Sequence, residues 1–407
     1  MIPDKDRQPV DKPMNILWIA PYPIKPGQHP APWILMLAKA VTNAGHRLTI
    51  LTPSPKTDSL QKLNTPHGYE VIILPYKGGA LHLLSLFQTQ IRTVKRYLRS
   101  TPERYDLIHV HGTEAAYASS LTGMDTPSII SIQGIMTLYR AELTKKLSKR
   151  FLYWTISSFY ERKEVRTFRH FFCRTDWDRQ FIRSHNNQAD ISVCWEILRP
   201  EFFDYTHPFT GNDILFMGGD NPLKALDHGL KAFDLLLANV RAAKTPGGKR
   251  AIRLHIVGST NPATVREIIA TAGLTNIRYE EDILIHGSLN AREILEIYKS
   301  CFCLYHPSLI DNSPNSVCEA QVAGLPVIAN RVGGVPSLIS GGLTGMLVEK
   351  EDLDTHVRAL ALLYNDLILQ QQLSGNARII ARQRHDPSAI LADTLSTYQK
   401  IRTPVYA

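Results

Sequence analysis

Short apolar runs rich in β-branched residues alternate with stretches of helical period along nearly the whole chain, and they fall into two series. NILWIA, HRLTILT, YEVIILP, DLIHVHG, SIISIQG, HFFCRT and DISVCWE form the first; DILFMGG, IRLHIVG, ILIHGS, CFCLYHPS and LPVIANR form the second. Strands of this kind separated by helices are what a parallel sheet covered on both faces requires. A chain of 407 residues also exceeds what one hydrophobic core supports, so two series mean two doubly wound, Rossmann-like α/β domains, expected over residues 15–200 and 213–385. Between them Leu198–Asp213 carries Pro200, Pro208 and Gly211 and reads as a connection, with residues 201–212 as the linker. Residues 1–14 are expected to be disordered; a helical pattern from about Pro387 to Tyr398, within residues 386–407, lies beyond the last strand and is placed to cross back to the first domain. Ligands of open parallel sheets bind beyond the carboxyl ends of the strands, so the strand-end loops facing the interdomain cleft are where chemistry is expected.

Several classes are excluded. No run approaches the ~20 apolar residues of a membrane-spanning helix, and the opening MIPDKDRQPVDKPMN has acidic residues and prolines where a signal peptide is apolar, so a cytoplasmic protein is expected. The five cysteines, Cys173, Cys194, Cys301, Cys303 and Cys318, are odd in number and sit in apolar contexts, against a disulfide framework. Cys301 and Cys303 lie in a strand-like run with no second ligand pair nearby, so no metal site is expected there. The net charge of +9 is concentrated: Arg140–Arg183 holds twelve Lys or Arg against five Asp or Glu, which implies an anionic partner. Signatures of nucleic-acid binding are missing, which leaves an anionic membrane as the better reading for residues 145–166. There Lys145, Lys146, Lys149 and Arg150 precede Phe151, Leu152, Tyr153, Trp154 and Ile156, cations for headgroups followed by side chains for the interface; a solvated helix packed on the domain would show the same residues.

The most informative stretch is His306–Glu349. A strand ends near Ser308, a loop carries Asp311, and a helix starting near Pro314 contains Glu319. This spacing lets a loop carboxylate and a helix carboxylate meet one elongated ligand at different points, while the helix N-terminus favours phosphate. On spacing alone, an N-capping Asp and a surface Glu remain the competing reading.

The stretch resembles the signature of the family 4 (group 1) glycosyltransferases: a strand, PS, E-x7-E, A-x-x-x-G-x-PV and a GG loop. PS, Glu319, Ala320, Gly324, Pro326, Val327, Gly333 and Gly334 follow it, whereas Asp311 replaces the first Glu and is one methylene shorter. The resemblance implies a GT-B fold and a retaining, metal-independent hexosyltransferase that uses a UDP- or GDP-linked sugar and no cofactor. By it, Glu319 meets the donor ribose and Asp311 the transferred sugar. FMGGDNPLKAL resembles the family's strand, G-R, four residues, K-G: Lys224 takes the lysine position against the diphosphate, Gly219 replaces the Arg and Ala225 the Gly. Because an arginine's bidentate phosphate contact is lost, compensation elsewhere is expected. Gly218, Gly219, Gly258 and Gly287 at strand ends, with Asn312, Ser313, Asn315 and Ser316, complete the implied donor side.

The first domain resembles the family more loosely. Gly27, in the loop before the first long helix, is the candidate for close approach to the donor phosphates. Gln133 stands where many members have a His, and it hydrogen-bonds without titrating. His109, His111 and Glu114 end another strand and are read as structural or acceptor-binding, with both histidines on one face. FFCRTDWDRQF resembles capsule- and exopolysaccharide-assembly members and is expected to form a strand-to-helix turn with Asp176 as N-cap. A glycan or lipid-linked acceptor and a role in surface polysaccharide synthesis follow from that resemblance. The rivals are a non-catalytic nucleotide-sugar-binding paralogue, motivated by the departures at Gly219, Asp311 and Gln133, and a GT-B epimerase or phosphorylase.

Overall fold

The computed structural model describes residues 12–23, 32–242 and 251–402. The first domain is an eight-stranded sheet built from β1 (Asn15–Ile19), β2 (Arg47–Ser54), β3 (Gln61–Asn64), β4 (Glu70–Pro75), β5 (Leu107–His111), β6 (Ser128–Ser131), β7 (His170–Cys173) and β8 (Asp190–Val193). Its spatial order is β3-β4-β2-β1-β5-β6-β7-β8, parallel throughout except for the β3–β4 pair. The second domain is a six-stranded parallel sheet of β9 (Asp213–Met217), β10 (Leu254–Val257), β11 (Ile283–Gly287), β12 (Cys301–His306), β13 (Val327–Asn330) and β14 (Met346–Val348), in the order β11-β10-β9-β12-β13-β14. The expected class, two doubly wound domains facing across a cleft, is the observed one. β3 and β14 escaped the sequence reading for a physical reason: QKLN is exposed at every position on an edge, and MLV is only three residues long.

Both sheets reverse direction of winding at their central strands, β1–β5 and β9–β12. The crevice opened there receives β5, β6 and β7 loops from one side and β9 and β12 loops from the other. Central strands are buried on both faces, Leu107–His111 and Cys301–His306 without exception, which holds their terminal loops firmly. The segment between the domains is packed rather than loose: it contains a helical turn, Glu201–Asp204, whose Phe202 enters the second domain's core. The helix Pro387–Arg402 lies on the first domain, where Ile390 and Tyr398 join the core of Ile16, Trp18 and Ile129. All five cysteines are free thiols.

Candidate functional site

The loop after β9 passes through Gly218 and Gly219, both at positive φ, into a 3-10 turn, Pro222–Lys224. Asn221 caps that turn by accepting from Leu223 N at 3.3 Å. Ala225 follows at φ +53°, a left-handed conformation that glycine adopts without strain and alanine does not. Lys224 thereby faces the loop after β12, and its Nζ lies 2.5 Å from Asp311 Oδ2. His306 Nε2, from the end of β12, lies 3.2 Å from the same oxygen. Burial pushes the Asp311 carboxyl up, but Lys224 and His306 outweigh it and hold the group well below the usual carboxylate range. Burial pushes His306 down.

Gly219 is more than a truncated arginine. A Cβ built on it would sit 2.0 Å from Ser259 O, and one on Gly258 would sit 2.7 Å from Gly219 N. The two strand-end loops touch backbone to backbone, so no side chain fits at position 219. Gly258 N donates to Gly287 O at 2.7 Å, continuing the same rim of glycine turns to β11.

The helix Asn315–Ala323 begins after Pro314 and ends at Gly324, φ +85°. Glu319 lies on its inner face, 2% exposed, and accepts a bidentate pair from Arg199: Nε to Oε1 at 2.8 Å and Nη2 to Oε2 at 2.7 Å. Burial raises the Glu319 carboxyl even though Arg199 pulls it down. Arg199 uses two of a carboxylate's roughly four lone-pair sites. Asn312 is turned away from any open space: Thr175 Oγ1 donates to its Oδ1 at 2.6 Å, and its Nδ2 donates to Gln133 O at 3.2 Å and Asp178 Oδ2 at 3.0 Å. Ser313 is buried against Cys318, and Asn315 and Ser316 form the helix's first turn, where Asn315 also reaches Glu196.

On the first domain, Gln133 Oε1 and O accept from Arg174 Nη2 at 2.9 and 3.1 Å. Arg174 is buried and also pairs with Glu196. Glu114 folds back over Gly112, where any Cβ would strike it, and accepts from Gly134 N at 2.8 Å; burial pushes its carboxyl up to about 7. His109 and His111 lie 3.8 Å apart between ring centroids, their planes tilted by 31°. His109 is taken up by Tyr398 and Ser131, each 2.6 Å away. Burial, with Arg174 nearby, lowers His111 to about 3. Gln133, Glu114 and the histidines therefore share one region, and Gln133 alone of them is tied directly to the Asp311 loop through Asn312. Gly27 lies outside the described residues.

One expectation is corrected and another is narrowed. The N-cap of helix Asp176–His185 is Thr175, not Asp176: a capping box links Thr175 with Asp178, leaving Asp176 in the first turn. In the basic helix, Lys149–Thr167, four of the five apolar side chains assigned to a membrane pack on the protein, and Leu152 stays exposed. Phe151 and Trp154 pack against Leu143, Leu223 and Ile310 of the domain interface, while Ile156 and Tyr153 pack on Phe87. Leu147, Leu152 and Phe159 are the exposed large apolar residues of this region. Glu161 and Glu164 are buried, so the surface keeps the cations.

Sequence reasoning missed Arg199, Arg174, Glu196 and His306. Each acts through a partner 5 to 120 positions away, and only His306, next to the PS motif, carried a usable signal. Among the described residues no group of three or more His, Cys, Asp or Glu is placed to hold a metal ion, and no helix is long and apolar enough to cross a membrane.

Residues 32–194 match glycosyltransferase family 4, and residues 199–379 match glycosyl transferases group 1. The D-inositol 3-phosphate glycosyltransferase of Acidothermus cellulolyticus is 28% identical over 174 residues, 41% of this chain and 37% of that protein. The protein of the same name from Arthrobacter sp. is 22% identical over 396 residues, 90% of this chain and 88% of that one. The match thus spans about a third of the first relative's length and most of the second's. Anabaena HepE, solved in complex with UDP and glucose, has the same fold with a TM-score of 0.69 at 15% identity, over 95% of this chain and 100% of that one. The fold is GT-B. More particularly, the chain is related, half by half, to glycosyltransferase family 4 and the group 1 glycosyl transferases.

Proposed function

We propose that this chain is a retaining glycosyltransferase that moves a sugar from a UDP- or GDP-sugar to a glycan or glycolipid acceptor in surface polysaccharide synthesis. The observation that carries the reading is the Lys224–Asp311 pair, held where the carboxyl ends of β9 and β12 meet the cleft. Displacement at the anomeric carbon develops charge on the leaving diphosphate, and Lys224 with the N-terminus of helix Asn315–Ala323 supplies positive potential there. Asp311 orients the transferred sugar, and Glu319 accepts from the ribose with its remaining lone pairs while Arg199 orients it. Described first-domain carboxylates near the cleft are engaged: Glu196 with Arg174, Asp178 with the Thr175 and Arg174 amides, Glu161 with Met136 and Thr137 amides. That favours front-face attack assisted by the departing phosphate over a covalent glycosyl-enzyme. Glu114, folded over Gly112 and accepting from Gly134 N at 2.8 Å, is engaged as well and borders the acceptor side.

The test incubates purified protein with UDP-glucose, UDP-galactose, UDP-N-acetylglucosamine and GDP-mannose and glycan or lipid-linked acceptors, following diphosphate release and the anomer formed. An α-glycoside from an α-linked donor supports the reading. Binding without turnover, an epimerised sugar or a sugar phosphate favours the paralogue, epimerase or phosphorylase instead. For a lipid-linked acceptor the surface around Leu147, Leu152 and Phe159, with Lys145, Lys146, Lys149 and Arg150, is the proposed contact with anionic lipid. Equal co-sedimentation with anionic vesicles by the wild type and by a variant with Gln at the four cations would refute that contact.

A further inference from the structure

The RTDWD segment after β7 has no part in the chemistry above, yet it is among the most thoroughly bonded stretches at the domain boundary. Thr175 and Asp178 are 1% and 0% exposed, and Asn312, from the other domain, is 1% exposed. Asp178 Oδ1 accepts from Thr175 N at 3.0 Å, and its Oδ2 accepts from both Arg174 N and Asn312 Nδ2 at 3.0 Å. Thr175 Oγ1 donates to Asn312 Oδ1 at 2.6 Å. Between them in the chain, Asp176 N donates to Ser337 Oγ at 3.1 Å. The GG loop makes room for this grip: a Cβ on Gly334 would lie 2.2 Å from Asn312 O and 2.7 Å from the Thr175 side chain, and one on Gly333 would lie 2.0 Å from Asp311 O.

The apolar neighbours have the same arrangement. Leu223 precedes Lys224, Ile310 precedes Asp311, and both pack on Leu143 of the first domain. Trp177 stacks on Tyr139 at 6.2 Å beside them. The first domain thus holds the backbone on both sides of the Lys224–Asp311 pair, and Asn312 joins the same loop to Gln133 O.

We propose that Thr175, Asp178 and Asn312 form an interdomain latch, and that Asn312 is a positioning residue which registers Asp311 and Lys224 against Gln133 rather than a contact to the donor. The buried amide has its oxygen and both donor directions committed across the boundary, so opening the domains leaves Asn312, Thr175 and Asp178 to find water instead. Its turnover readout rests on the transferase reading above; its scattering readout does not.

The decisive variant is Asn312→Asp, which keeps the acceptor for Thr175 and sets a second carboxylate against Asp178. Small-angle X-ray scattering of the ligand-free protein is expected to show a larger radius of gyration. UDP affinity by calorimetry should stay within threefold. Turnover of the donor found active in the panel should fall on the order of 100-fold, as expected for a displaced reacting group. The exchange variant Asn312→Asp with Asp178→Asn removes the carboxylate pair but leaves Gln133 O opposite an acceptor and Arg174 N opposite a donor, so it should move the radius of gyration and turnover part of the way back from Asn312→Asp toward wild type. Thr175→Ser, which keeps the hydroxyl, should behave as wild type and controls for folding. Unchanged scattering for Asn312→Asp overturns the latch, as does an exchange variant no nearer to wild type than Asn312→Asp. A large loss of UDP affinity in Asn312→Asp overturns the positioning role. If no donor in the panel is turned over, the transferase reading fails, while scattering still decides the latch.

Discussion

Lys224→Met separates electrostatics from packing at the centre of the site. The lysine's methylenes lie over Gly218, where an added Cβ would meet them at 2.4 Å, and methionine retains most of that stem. What disappears is the charge 2.5 Å from Asp311, in a pair whose side chains are 23% and 14% exposed. A buried carboxylate that loses its partner costs about 3–5 kcal/mol of stability, and His306 remains to offset part of this. The pH dependence has a definite sign. Asp311 is depressed in the folded protein, so its contribution is present above the unfolded value of about 3.9 and is lost as pH falls through the folded one. The stability gap between wild type and Lys224→Met, measured by thermal unfolding, should therefore be widest near neutrality and narrow below about pH 4. Turnover should drop by about 2–4 kcal/mol in transition-state stabilisation, roughly 30- to 1000-fold. Adding Asp311→Asn should recover stability but not turnover. Turnover within twofold of wild type, or a gap that does not narrow in acid, refutes the reasoning.

Four further outcomes are expected. Glu319→Gln should weaken UDP binding by about 1.5–3 kcal/mol in calorimetry, the value of a hydrogen bond to a charged group; unchanged affinity would leave Glu319 as the counter-ion of Arg199 alone. Gly219→Arg should lower stability by at least about 1–3 kcal/mol and fail to raise turnover, because position 219 is at φ +60° and meets Ser259 O; an active, equally stable variant would mean the loop is free to move. Ala225→Gly should stabilise by about 1 kcal/mol, relieving the left-handed alanine, and an unchanged melting temperature would argue against that strain. The raised Glu114 favours the folded protein below the unfolded carboxyl value and loses that advantage as pH rises through about 7, so wild type should lose about 1 kcal/mol per pH unit between pH 5 and 7 that Glu114→Gln keeps; parallel stability profiles would contradict it.

Local pattern was enough for the architecture. Runs such as NILWI and CFCLYH are short, buried almost throughout and repeated between helical stretches, which is the pattern of strands inside a parallel sheet. The turn after β9 and the helix start after Pro314 were equally legible, because glycine and proline constrain backbone where they stand. Partnership across the chain was not legible. The carboxylate of Glu319 is committed to Arg199, 120 positions away; Asn312 is committed to Thr175 and Asp178, 137 and 134 positions away. Phe151 and Trp154 read from composition as interfacial side chains, yet they fill an apolar gap that exists only once Leu143, Leu223 and Ile310 have been brought together. Periodicity and backbone restriction are properties of neighbouring residues, so the amino-acid order determined the two sheets and their loops. Which charge meets which, and which face turns inward, depends on groups that only the packing of one domain against the other places within hydrogen-bonding distance.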